Sequence, residues 1–206
     1  MAVQEEQRPV LRLASASPRR RQLLDLIGVP HVVTPADIDE APLANEPGAE
    51  YVTRLAREKA MAVRGRLADL PVLAADTTVH VDGHILEKPQ SEQDCIRMLS
   101  LLSGRRHQVY TGICVLSDAA PAVRCAGTEV EFRAISRAEM QAYWASGEPQ
   151  GKAGAYAIQG LGAVFVAGIV GSYTGVMGLP LFETAELLRL HGVAVWHGAL
   201  RGGVAQ

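Results

Sequence analysis

The stretch Val72 to Pro89, VLAADTTVHVDGHILEKP, constrains the fold more than any other part of this chain. Asp82-Gly83 lies between two apolar-rich runs and is a hairpin turn signal. Val72 to Val81 and His84 to Lys88 therefore read as paired antiparallel strands, the second ended by Pro89. One residue does not suit a strand. Asp76 interrupts Val72-Leu73-Ala74-Ala75 and is followed by Thr77, Thr78 and Val79. Aspartate is depleted from strands, and a buried carboxylate needs a partner, a metal or a catalytic use. Accepting hydrogen bonds at a bulge is the plainer alternative. Lys88, on the return strand, is placed by hairpin register as a charge partner at the sheet's end.

The elements around this hairpin alternate in type. Val10 to Ala14 reads as a strand, followed by a helix from Pro18, with Ser17 as N-cap, that stops near Gly28. Val32 to Thr34 suits a short strand before the acidic loop at residues 37–42. A longer helix is expected from Gly48 to Leu67, with Val52, Leu55, Ala56, Ala62 and Val63 in its apolar stripe. Ser91 and Asp94 open another helix in an approximate capping box, and Gly104 stops it. His107 to Leu116 and Val123 to Ile135 read as strands. In the second, Thr128, Val130 and Phe132 alternate with Glu129, Glu131 and Arg133, the pattern of a sheet with one wet face. Ser136 and Glu139 form a capping box, a glycine-rich region spans residues 147–178, and a last helix, Leu181 to His191, precedes a small strand, Val193 to Trp196. The reading is one α/β domain over 10–197, with a flexible tail at 1–9 and another at 198–206.

Several classes are excluded or disfavoured. The net charge of −2 argues against a generic nucleic-acid binder. The longest apolar run, Ala163 to Val170, is far too short to span a bilayer and is broken by Gly168. Cys95, Cys114 and Cys125 contain no CxxC pair and suit reduced thiols. With no apolar stretch in MAVQEEQRP, the expected location is the cytoplasm. Gly151-Lys152 lacks P-loop spacing, Gly160-Leu161-Gly162 lacks a third glycine, and neither HExxH nor GxSxG occurs.

Three further anomalies accompany Asp76. Arg19, Arg20 and Arg21 fill the first turn of a helix, where the macrodipole disfavours cations. They form either a solvated face or, with Ser15, Ser17 and the free N–H groups of the first turn, a phosphate site. Lys59 lies seven residues after Val52 and four after Leu55, inside the apolar stripe. Either it snorkels, or it faces a phosphate-filled cleft. In GKAGAYAIQG, Gly154 and Gly160 permit close backbone approach, and Gln159 carries both an acceptor and donors, suited to a base edge or to capping a loop.

LASASPRR at 13–20, REKA at 57–60, AADTTV at 74–79, EKP at 87–89, GKAGAYAIQG at 151–160 and GSYTGVMGLPLFET at 171–184 together resemble the Maf family of nucleotide pyrophosphatases, over about residues 10–190. The resemblance implies an elongated Maf/ITPase-like mixed sheet flanked by helices, two lobes around a central cleft, and a homodimer. It implies hydrolysis of a nucleoside triphosphate to the monophosphate and pyrophosphate with a divalent cation, Mg²⁺ or Mn²⁺. Asp76 matches the family's proposed base. Arg19, Thr77 and Gln159 match the positions that separate its branches, and here they fit the dTTP/UTP branch rather than the 7-methyl-GTP branch. Ser15, Arg20, Glu40, Lys59 and Lys88 match polar cleft positions, with Lys59 and Lys88 expected to neutralise phosphate charge and Glu40 with Asp76 to hold the metal. The contrasting expectation, from outside enzymology, is a nucleotide-binding regulator of cell division with no turnover.

Overall fold

In a computed structural model the described residues, 8–196, form a mixed sheet covered by helices. The strands are β1 (Leu11–Leu13), β2 (His31–Val33), β3 (Val72–Val81), β4 (His84–Leu86), β5 (Arg106–Leu116), β6 (Ala122–Phe132) and β7 (Val166–Val170). The helices are α1 (Pro18–Leu26), α2 (Gly48–Arg66), α3 (Glu92–Leu102), α4 (Arg137–Ala145), α5 (Tyr173–Met177) and α6 (Leu181–Leu190). Sheet order is β2-β1-β3-β5-β6-β7, with β4 paired to the far end of β3. β1 runs parallel to β2 and β3; the other pairs are antiparallel.

The long strands carry two cores. Leu73 and Ala75 of β3 pack with Leu13, Leu24, Leu179 and Leu187, whereas Val79 and Val81 of the same strand pack with Leu86, Leu99, Phe132 and Tyr156. Residues 76–78 lie between these apolar ends, so the two lobes meet at a polar waist. On the other face of β3, α2 lays Ala56, Ala60 and Val63 against Val72 and Ala74. Gly112 of β5 permits that approach: a Cβ there would stand 2.3 Å from the carbonyl oxygen of Val52, so no other residue fits under the helix.

Most expected elements are present, with β6 ending at Phe132 rather than Ile135 and four further differences. The return strand stops at Leu86 rather than Lys88. The glycine-rich region holds β7, α5 and two 3₁₀ turns, at Ala153–Ala155 and Leu161–Phe165. In the α3 box, Ser91 Oγ accepts from Asp94 N–H as expected, but the Asp94 carboxylate accepts from Gln90 N–H instead of reaching back to Ser91. Val193 to Trp196 is not a strand. The segment instead closes α6 through Val193 N–H to Leu188 O and docks at the end of α1 through Trp196 N–H to Ile27 O. Of the expected tails at 1–9 and 198–206, residues 1–7 and 198–206 lie outside the described residues.

His107 of β5 is a buried polar group in the larger core. It stands edge-on to Phe132, and its Nε2 lies 2.9 Å from the Tyr156 hydroxyl. Burial pushes the imidazole down to about 4 from its ordinary 6.5. The unfolded chain therefore binds the extra proton between these values, and native stability falls as pH is lowered through that window. The expected loss is roughly 3 kcal/mol between pH 7 and pH 4. Urea unfolding across this range should show that slope, and His107→Gln, which does not titrate, should flatten it.

Candidate active site

The waist opens onto a cleft of about 730 Å³, within the size range of small-ligand sites. Its walls come from the β1–α1 loop, the loop at 35–41, α2, the middle of β3, the segment after β4, the turn at 151–159 and the end of α5. Among the expected site residues, Ser15, Arg19, Arg20, Glu40, Lys59, Asp76, Thr77, Lys88 and Gln159 all line it.

Lys59 is the centre of the arrangement. Its ammonium donates to Asp76 Oδ1 at 2.6 Å and sits 2.7 Å from Glu40 Oε1. The side chain is buried, which rules out snorkelling; the apolar stripe of α2 delivers it directly onto the carboxylate of β3. The ladder between β3 and β5 runs unbroken from Val72 to His80, so Asp76 is not at a bulge. Lys88 is not its partner. The hairpin pairs Val79 with Leu86, which aims Lys88 toward Thr77, and the ladder ends before reaching it. The Asp76 side chain instead turns toward α2, while Lys88 is exposed on the cleft rim.

Glu40 reaches the site from a loop that α2 fastens. Tyr51 donates from its hydroxyl to Glu40 O, and Arg54 donates to both Glu46 carboxylate oxygens and to Ala41 O. Burial on its own raises the Glu40 carboxyl, but the Lys59 ammonium, with Lys88 and Arg20 behind it, carries it below its ordinary value. The carboxylate therefore stays ionised at neutral pH. Tyr51 and Arg54 escape a sequence reading, since both sit on a helix face that looks merely amphipathic.

The arginines of α1 find their counter-charge inside the protein. Arg20 Nε donates to Gly178 O at 2.8 Å, and Arg19 Nε donates to Met177 O at 3.2 Å. Both carbonyls belong to the C-terminal end of α5, where a helix favours cations. The apparent misplacement at the start of α1 is thus a placement at the end of α5. Arg20 Nη1 also donates to Ser15 Oγ and Nη2 to Thr77 Oγ1. Of five guanidinium N–H groups, two remain. Ser15 Oγ also accepts from Ser17 N–H, so its own hydroxyl hydrogen is free to donate. Arg21 is exposed. Thr77 does not present a free hydroxyl: it is shared between Arg20 and Thr111 of β5.

Gln159 is exposed at the cleft edge, with no side-chain hydrogen bond among the described residues, so it is not a loop cap. Lys152 lines the same end, and burial, with Arg19 adding to it, lowers its ammonium. Gly154 has φ +67°, and a Cβ on it would stand 2.7 Å from Val79 Cγ2, which is the close approach expected of it. Thr111-Gly112 also belongs to this region, and its sequence signal is that it interrupts the apolar run of β5 opposite Thr77 and Asp76.

The family model for Maf-like proteins matches residues 10–191. This chain belongs to the Maf family. A Methylobacillus flagellatus member named dTTP/UTP pyrophosphatase is 54% identical over 185 residues, covering 89% of this chain and 93% of that protein. A Sphingopyxis alaskensis member of the same name is 55% identical over 187 residues, covering 90% and 98%. A solved Ham1 protein from Staphylococcus aureus is a partial likeness only: 17% identity, a TM-score of 0.45, 59% of this chain and 71% of the other.

In this Maf protein the ammonium of Lys59 holds two carboxylates together, so its removal has a signed consequence. Lys59→Met leaves the buried Asp76 carboxylate without its ammonium partner, a loss of about 3–5 kcal/mol. Urea denaturation of Lys59→Met at neutral pH should show that loss. Unfolding at the same urea concentration as the unsubstituted protein contradicts the pairing.

Proposed function

We infer that the protein hydrolyses dTTP and UTP between the α and β phosphates, releasing the nucleoside monophosphate and pyrophosphate. The observation that carries this reading is a cleft lined by Lys59, Asp76, Glu40 and Arg20 in a chain more than half identical, over most of its length, to proteins named dTTP/UTP pyrophosphatase. In this reading the retained Asp76 disfavours a pure binder, which has no need of a carboxylate that takes a proton from water.

The triphosphate docks against Ser15, the first turn of α1 and the two uncommitted N–H groups of Arg20, which form charge-assisted contacts with its oxygens. Lys59 grips Asp76 by Oδ1 and leaves Oδ2 to accept a proton from the attacking water. The water oxygen bonds to the α phosphorus, the bond from that phosphorus to the bridging oxygen breaks, and the electron pair leaves with pyrophosphate. Arg20, Lys59 and Lys88 stabilise the charge that accumulates there. Gln159, with Arg19 beside it, reads the O4/N3 edge of the pyrimidine, and Thr77 contributes by fixing Arg20.

A divalent cation fits the donor set. The cleft opposes five cations, Arg19, Arg20, Lys59, Lys88 and Lys152, with four carboxylates, Asp39, Glu40, Asp76 and Glu87, so protein charge alone leaves a triphosphate largely unneutralised. Glu40 would hold Mg²⁺ or Mn²⁺ through the oxygen that Lys59 does not use, while Asp76, the other carboxylate expected to hold the metal, is engaged as the base through Oδ2; one carboxylate beside substrate phosphates is a common set for such an ion. When bound, the ion supplies positive charge to the phosphate oxygens.

The reading extends to a homodimer working in the cytoplasm, without nucleic-acid or membrane partners. No helix among the described residues is long and apolar enough to cross a membrane. β7, with Val170 exposed, ends the sheet and offers a face for a second copy.

Pyrophosphate release should be fastest for UTP and dTTP in a panel that includes CTP, GTP and 7-methyl-GTP, and should require Mg²⁺ or Mn²⁺. A preference for 7-methyl-GTP would contradict the roles of Arg19, Thr77 and Gln159. Asp76→Asn should lower kcat by about 10³-fold with the fold retained; near-normal turnover in a folded variant would remove Asp76 from the mechanism.

A further inference from the structure

Thr111 is fully buried in β5 and takes no part in the cleft wall. Its hydroxyl donates to Gly175 O at 2.8 Å and stands 2.9 Å from Thr77 Oγ1. A hydroxyl has one hydrogen. Since that of Thr111 is committed to Gly175 O, the bond between the two threonines runs one way: Thr77 donates and Thr111 accepts. Thr77, with its own hydrogen so committed, faces Arg20 as an acceptor only, which suits the 3.1 Å donation from Arg20 Nη2. The direction is fixed along the whole series, from Arg20 through Thr77 and Thr111 to the carbonyl of Gly175.

The same carbonyl belongs to α5, whose end supplies Gly178 O to Arg20 Nε and Met177 O to Arg19 Nε. Two of the three bonds that orient the Arg20 guanidinium therefore trace back to Thr111, one through Thr77 and one through α5. We propose that Thr111 is a positioning residue: it fixes the polarity of the Thr77 hydroxyl and the seat of α5, and thereby aims the two N–H groups that Arg20 has left for phosphate. This rests on the reading of the cleft as a triphosphate site.

Thr111→Val keeps the shape and removes the hydroxyl, while Thr111→Ser keeps the hydroxyl. Thr111→Val should raise KM for UTP about tenfold and lower kcat by a smaller factor, since Arg20 also meets the charge that develops on pyrophosphate. Thr111→Ser should restore KM to within about twofold. In a Thr77→Val background, adding Thr111→Val should raise KM by a smaller factor than it does alone, because the route through Thr77 is already cut and only the one through α5 remains. A ligand-free readout separates this from turnover. The Arg20 Nε–H NMR signal, identified by its loss in Arg20→Lys, should shift or exchange rapidly in Thr111→Val and persist in Thr111→Ser. An unchanged KM, an additive double variant, or an unperturbed Arg20 signal in Thr111→Val would each overturn the proposal. Absence of UTP turnover in the wild type would count against the proposed function instead, and the NMR comparison would then decide the role of Thr111 alone.

Discussion

A lysine ammonium buried between two carboxylates is the constraint to which the rest of this molecule answers. Placing Lys59 in the apolar stripe of α2 costs desolvation, and the cost is offset only if partners arrive with good geometry. Asp76 supplies one partner from the middle of β3, where strand alternation turns it toward the helix. Glu40 supplies the other from a loop tied down by Tyr51 and Arg54. Gly112 lets the helix come close enough for the contact, because any side chain there would collide with the Val52 carbonyl. The apolar cores on either side then hold β3 and α2 in register, so the polar waist is kept in place by packing it does not share.

The second organising feature is the exchange between α1 and α5. Three arginines at a helix N-terminus look unfavourable when that helix is considered alone. In the folded chain, two of them complete the C-terminal end of α5, a helix of five residues that cannot be stable by itself. The arginines therefore gain a favourable dipole where they end, and α5 gains the donors its last carbonyls lack. Arg20 emerges with its plane oriented and part of its donor capacity still open, which is the preparation that anion recognition needs.

Much of this was legible in the sequence because it depends on local periodicity. Lys59 stood out from the spacing of Val52 and Leu55, and Asp76 from the apolar residues before it. Ser15, Arg20 and Glu40, which the resemblance sets at polar cleft positions, and Thr77 and Gln159, which it sets at branch-separating positions, all line the cleft. What could not be read depends on contacts between distant segments. The partner of Asp76 comes from α2 rather than from the hairpin, since hairpin register says which residues are opposite but not which helix covers a face. The arginine anomaly offers only a solvated face or a phosphate site when read from sequence, because the carbonyls that answer it lie more than 150 residues away. β7 and α5 were hidden in a glycine-rich stretch whose local propensity is weak, and the segment after Val193 spends its backbone bonds on closing α6 and docking beside α1.

The central claim is that this waist holds the triphosphate with Asp76 addressing the α phosphorus. The most direct measurement is the crystal structure of the protein with the slowly hydrolysed analogue α,β-imido-UTP and Mg²⁺. The account places the phosphates on Ser15 and the open N–H groups of Arg20, with a single water bridging Asp76 Oδ2 and the α phosphorus. A triphosphate seated elsewhere in the cleft, with Asp76 separated from it by protein, would contradict the account.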